Sequence, residues 1–360
     1  MRHGGFPSPC GSPPPEDPIL SCTYRPYQFV GTLIGHVAPG SLFILWGGWW
    51  AYNVCLRAAV TASNNLAFSS SAWYRFPSKN VHLIEPVLKI VFPIIALSME
   101  LFLDHLNEPT PYQSLYCPKG TKLAGEFAGE NVNNWQHASS YPAVIASGFV
   151  DILSHYVELP SGVTRAFSSL WIGIMSFLMF VHEKHEALDK MVHWLLAMSM
   201  LIAFVFQVAE MGYPRSIVVS MGKAVSTVFV GAWLVEIGVV MYTGRAAWTH
   251  DTSRAVGAMM APIFFCMIFL TICLGVLVMY VVLTAMQRRG MVPSRMVATC
   301  VDGGSRDEET VGVHRRRPGV GGGGSGGVGG VAGGKLPYER DYELGNLMTE
   351  RSFDSDSAHD

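Results

Sequence analysis

Residues 257–285 read GAMMAPIFFCMIFLTICLGVLVMYVVLTA, and no charge stands between Arg254 and Arg288. A helix rises about 1.5 Å per residue, so roughly 20 mainly apolar residues cross the ~30 Å hydrocarbon core of a bilayer. This stretch is longer than that, and in lipid a helix satisfies its own backbone donors and acceptors. Working outward from it, six more apolar runs are predicted to cross: 33–55, 85–104, 138–157, 165–182, 192–211 and 217–243. The expected fold class is therefore all-α, a polytopic membrane helix bundle with seven transmembrane helices. The second, third and fourth runs carry polar residues or are short, which leaves six crossings as the alternative.

Composition agrees with this reading. Of 360 residues, 50% are hydrophobic and only 14% charged, against about 25% charged in a soluble domain. Too few charges remain to cover a water-facing surface. The net charge of -2 gives the chain no field suited to nucleic acid, and the expected partner is the lipid bilayer. No Gly-rich phosphate loop, Gly-x-Ser-x-Gly elbow or His-Glu-x-x-His pattern occurs. The seven cysteines include no Cys-x-x-Cys pair, which removes zinc ribbons and thioredoxin-like chemistry.

Three regions are expected. Residues 1–31 are Pro-rich and disordered, without the basic start and apolar run of a signal peptide. Residues 32–290 form the seven-helix transmembrane domain. Residues 291–360 are a disordered tail, Gly-rich over 318–334 and acidic after Tyr338, because such a composition cannot bury enough apolar surface to offset ordering. Ser352, Ser355 and Ser357 stand among acids in that tail, and protein partners recruited by it are a possible role. Arg288-Arg289, directly after the strongest helix, points to a cytoplasmic C-terminus by the bias of basic residues towards that side.

Titratable groups at bilayer depth are expensive and face the bundle interior. Following chain direction through seven crossings, one leaflet collects His36 from helix one, Glu100, Asp104 and His105 from helix two, and His137 from helix three. The same leaflet receives His182 from helix four, Asp189 and His193 from helix five, and Glu236 from helix six. His36, His137, His182 and His193 are the candidate metal ligands, with Glu100, Asp104, His105, Asp189 and Glu236 as the surrounding polar cluster. Asp189 and His193 are four apart, the spacing at which a carboxylate orients an imidazole, and a neutral imidazole so held is a common ligand for zinc, copper or iron. Three histidines with an open position suit a metal ion, and two on facing helices suit a haem. Two other readings stay open: histidines at headgroup level bonded to loops or water, and a proton relay of a transporter or channel. A membrane enzyme or redox protein is one use of such a metal or haem site, and no particular reaction follows from these residues. On the opposite face, Asp151 and His155 are read as a structural hydrogen bond beside Glu85 and Glu210, and Trp46, Trp49, Trp50 and Tyr52 as an interfacial aromatic belt. Cys22 and Cys117 share the N-terminal face, where a bridge is open to them if that face is extracytoplasmic.

At these residues the sequence resembles the transmembrane protein 45 family. The match rests on Asn134-Trp135-Gln136-His137, on Gly148-Phe149-Val150-Asp151, and on the helix-one start Gly35-His36 with Pro39-Gly40-Ser41. Glu85, Glu100, Leu188-Asp189 with His193, and Gly231, Trp233, Ile237 and Gly238 add to it, so that it spans about residues 33–290. The chain departs from the family at His182-Glu183-Lys184-His185, where the family has His-x-His, and at Cys266-Met267-Ile268, where it has Cys-Trp-His. The resemblance implies a multi-pass protein of the Golgi or other endomembranes or of the plasma membrane, with a cytoplasmic tail, and supplies no agreed activity.

Overall fold

The computed structural model describes residues 32–76, 83–102, 113–117, 119–120, 124–128, 131–182, 184, 186–245, 248 and 251–293, the side chains of 251–254 excepted. The expectations for 1–31 and for the tail beyond 293 lie outside the described residues. The chain divides into a unit over 1–313, which holds every described helix, and one over 314–360.

Seven helices follow in order: α1 Leu33–Ser63, α2 Ile84–Leu101, α3 Val132–Tyr156, α4 Val163–Phe180, α5 Ala187–Gly212, α6 Ile217–Tyr242 and α7 Asp251–Arg288. Each of the seven apolar runs falls on one of them. Four of the helices, α4, α5, α6 and the 255–288 part of α7, are long and apolar enough to cross a membrane by length and composition. In α2 the charges Glu85, Lys89 and Glu100 interrupt the apolar run. The β content of the described residues is a single antiparallel bridge between Tyr116 and Phe127 in the α2–α3 loop.

The starts of α1 and α6 are fixed by side-chain caps: Thr32 accepts the Gly35 N–H and Ser216 accepts the Val219 N–H, satisfying donors that a helix start leaves unpaired. Pro39 sits in the second turn of α1, past the four donors that a helix start leaves unpaired, so the Gly35 carbonyl lacks its helical N–H. α1 continues to Ser63, eight residues beyond the run read from the sequence, because Arg57 is buried rather than exposed: it donates to the Ser69 carbonyl and lies over the Tyr74 ring.

Neighbouring helices pack in sequence: α2 on α3, α3 on α4, α4 on α5 and α5 on α6. The broadest contact closes α1 against α6, and α7 lies across α1, α5 and α6. Glycine permits the α1–α6 approach. A Cβ added at Gly231 would stand 2.5 Å from the Gly40 carbonyl and 2.6 Å from the Ile44 nitrogen, and one at Gly47 would stand 2.5 Å from the Val228 nitrogen. Small residues that let backbones touch are the usual means of tight helix association in lipid. The core between the helices carries Phe43, Trp171, Val192, Met200, Trp233 and Ile237.

Candidate functional site

Four imidazoles meet at the end of the bundle where α1, α3 and α5 begin and α4 ends. His36 is the fourth residue of α1, His137 the sixth of α3, His193 the seventh of α5, and His182 stands two residues past α4. At about 1.5 Å per residue each lies within roughly 9 Å of its helix end, so antiparallel order alone delivers them to one level. The rings form a continuous line. His137 and His182 have centroids 5.3 Å apart, His182 and His193 5.7 Å, and His193 and His36 5.9 Å. The Tyr242 ring closes the line beside His36 at 5.2 Å.

Every one of these histidines engages an acceptor through Nδ1. His36 Nδ1 donates to the Thr32 carbonyl at 3.0 Å, His193 Nδ1 to the Asp189 carboxylate at 2.8 Å and its carbonyl at 2.9 Å. His182 Nδ1 donates to Gln136 Oε1 at 2.7 Å, and His137 Nδ1 to Glu100 Oε1 at 3.3 Å. An acceptor at Nδ1 selects the tautomer whose Nε2 carries a free lone pair. His182 Nε2 is buried and has no hydrogen-bond partner among the described residues.

The Asn134–His137 motif acquires a physical meaning here, since three of its four side chains serve this cluster and the fourth holds the adjoining loop. Asn134 Nδ2 donates to the Glu100 carboxylate and carbonyl, Trp135 Nε1 pins the α2–α3 loop through the Gln113 carbonyl, Gln136 orients His182, and His137 meets Glu100. Asp189 lies on α5 one turn from His193, as the four-residue spacing requires. Glu236, half-buried on α6, makes no hydrogen bond or ion pair with these histidines among the described residues. Asp104 and His105 lie outside the described residues, as does His185. α4 stops at Phe180, so His182 is not on a helix that continues towards residue 185. Among the described residues no three His, Cys, Asp or Glu donors are placed around a common metal position.

The opposite half of the bundle corrects the sequence reading. Asp151 is half of an ion pair that the sequence did not announce: its Oδ2 accepts from Lys89 Nζ at 2.6 Å, with both groups fully buried. Gly148, one turn earlier, lets α3 approach α2 at Lys89. Trp46 and Trp50 are not an interfacial belt. Because α1 runs to Ser63 they fall mid-helix, and both indoles donate to Glu85 Oε1, at 3.1 and 2.7 Å. Period and composition give no sign of this, since an aromatic at helix centre and one at headgroup level look alike in sequence.

Cys117 is disulfide-bonded, and Cys22 lies outside the described residues. Cys55, Cys266 and Cys273 are free.

Residues 161–281 match a family described as "family of unknown function (DUF716)", a range that takes in α4, α5, α6 and most of α7. The chain is also similar to transmembrane epididymal protein 1A of Mus musculus, at 22% identity over 256 residues covering 66% of this chain and 76% of that protein. With the long apolar helices, these likenesses make the class plain. The chain is a multi-pass integral membrane protein of unassigned activity.

Proposed function

We propose that this protein crosses the membrane seven times and holds a divalent transition-metal ion between His137, His182 and His193, with His36 beside them, on the extracytoplasmic side. The observation that carries the reading is the shared polarity of the four imidazoles: each Nδ1 is committed to an acceptor, leaving Nε2 for a metal. This is the outer-shell arrangement that fixes ligand histidines and raises their basicity. Two imidazoles on one tetrahedral zinc, with Zn–N of about 2.0–2.1 Å, have ring centroids about 5 Å apart. The separations of 5.3 and 5.7 Å around His182 lie near that value, and loading requires ring rotation that brings the Nε2 atoms to one point. Rings packed directly on one another suit a bare ion better than a haem inserted between them. The Asn134–His137 motif and its use in the cluster support placing the chain with the transmembrane protein 45 family.

The orientation follows from two features. Disulfides persist in oxidising compartments, so the Cys117 loop belongs outside the cytoplasm, and the histidines share its end of the bundle. Arg288 and Arg289 end α7 on the other side, as the bias of basic residues towards the cytoplasm requires.

Metal content of the purified full-length protein tests the reading. After expression with added zinc, about one bound ion per chain is expected, lost in His182→Ala and retained in the surface variant Glu158→Gln. Folded wild-type protein carrying no more metal than His182→Ala would overturn it.

A further inference from the structure

The half of the bundle remote from the histidines contains two buried ion pairs on either side of one indole. Lys89 Nζ donates to Asp151 Oδ2 at 2.6 Å, and Lys223 Nζ donates to Glu210 Oε2 at 2.6 Å and to the Ser71 carbonyl at 3.0 Å. None of these four side chains is more than 2% exposed. Lys223 lies 4.5 Å and Lys89 5.8 Å from the Trp50 ring centroid. Glu85 sits between them, satisfied by both indoles and by the Tyr74 N–H at 2.9 Å, with Lys89 at 3.9 Å. Fourteen residues of α1 separate His36 from Trp50, which is about 21 Å of helix, so this is a second and separate cluster.

Two oxygens are left over. Among the described residues, Asp151 Oδ1 and Glu210 Oε1 are buried without a hydrogen-bond partner, and so are the nearby hydroxyls of Ser147 and Ser70. Buried carboxylate oxygens without a partner are costly, and bound internal water is the usual remedy. The other charged groups nearby come from α1 and α4: Arg57, over the Tyr74 ring, and Arg165, donating to the Ser70 carbonyl. His155 lies one turn beyond Asp151 on α3. The three carboxylates, Glu85, Asp151 and Glu210, thus have four cations around them, Lys89, Lys223, Arg57 and Arg165. Ionisable groups held at this depth mark ion pathways and proton relays. At 2.6 Å in a low dielectric, an ammonium–carboxylate pair and a neutral amine–acid pair differ only by the position of one proton, because the ionic form has given up its hydration.

We propose that the Lys89–Asp151 and Lys223–Glu210 pairs form a proton-exchanging centre, in which internal water bonded to the free carboxylate oxygens delivers and removes protons. In one turnover a Lys89 N–H bond breaks and an O–H bond forms on Asp151. The amine regains a proton from water and the acid gives one to water, so one proton moves and no electron does. The Lys223–Glu210 pair repeats the exchange across Trp50. This centre does not depend on the histidine site, and either can exist without the other.

Full-length protein in liposomes with a trapped pH-sensitive dye, under a potassium diffusion potential, tests it. Protein-dependent proton flux is expected, falling to the protein-free rate in Asp151→Asn and Glu210→Gln and unchanged in Glu158→Gln. Should those variants misfold, the wild type alone decides by infrared spectroscopy: a pH step is expected to produce a carboxylic-acid C=O band exchanging with deuterium. Wild-type flux no greater than in protein-free liposomes, flux preserved in both carboxyl variants, or no such band would each overturn the proposal.

Discussion

His182 draws together most of what the cluster does. Its Nδ1 is held by Gln136, its Nε2 is buried without a partner among the described residues, and its ring neighbours both His137 and His193. His182→Ala is expected to lower the melting temperature of the detergent-purified protein, whereas the exposed Glu158→Gln leaves it unchanged. Lys89→Met tests a different residue-scale claim. It leaves Asp151 buried without its cation, and losing one partner of a buried pair costs about 3–5 kcal/mol, read as a lowered melting temperature. The double variant Lys89→Met, Asp151→Leu is expected to recover much of that loss. The sequence disclosed the histidines through their common depth but not the Lys89–Asp151 pair. Depth follows from counting along a helix, whereas a partner on another helix depends on rotation about the axis, which spacing alone leaves free.

At the scale of elements, all seven apolar runs were legible as helices, and four of them, α4 to α7, are also long and apolar enough to cross a membrane. Their ends were less legible. α1 extends past Arg57, and α3 begins at Val132, six residues before the run that suggested it, because Asn134 and Gln136 look like loop residues until their partners are seen. The α1–α6 contact belongs here too. Gly231→Val puts side-chain atoms where the Gly40 carbonyl and Ile44 nitrogen now lie. Backbone cannot yield as a flexible side chain does, so the loss is expected at or above the about 1–3 kcal/mol typical of overpacking. Gly275, whose added Cβ would meet nothing within 4 Å, is the control: Gly275→Ala is expected to leave the melting temperature of detergent-purified protein unchanged.

For the whole molecule, two polar clusters occupy opposite ends of one bundle, with Phe43, Trp46 and Trp171 packed between them at ring-centroid distances of 5.8 and 5.9 Å. In the proposed seven-crossing arrangement the two clusters take different sides of the membrane. Single cysteines in an otherwise cysteine-free background, probed in intact cells with an impermeant thiol reagent, are expected to react at Gly125 and not at Gly290; the reverse pattern would invert the orientation. Chain direction made this end-to-end division readable from sequence, since it assigns each group to a leaflet before any contact is known. X-ray absorption at the zinc edge of the loaded protein examines the histidine site most directly. The account requires at least three imidazole nitrogens at about 2.0–2.1 Å in the first shell, reduced in His182→Ala; a first shell without imidazole scattering, or one identical in that variant, would contradict it.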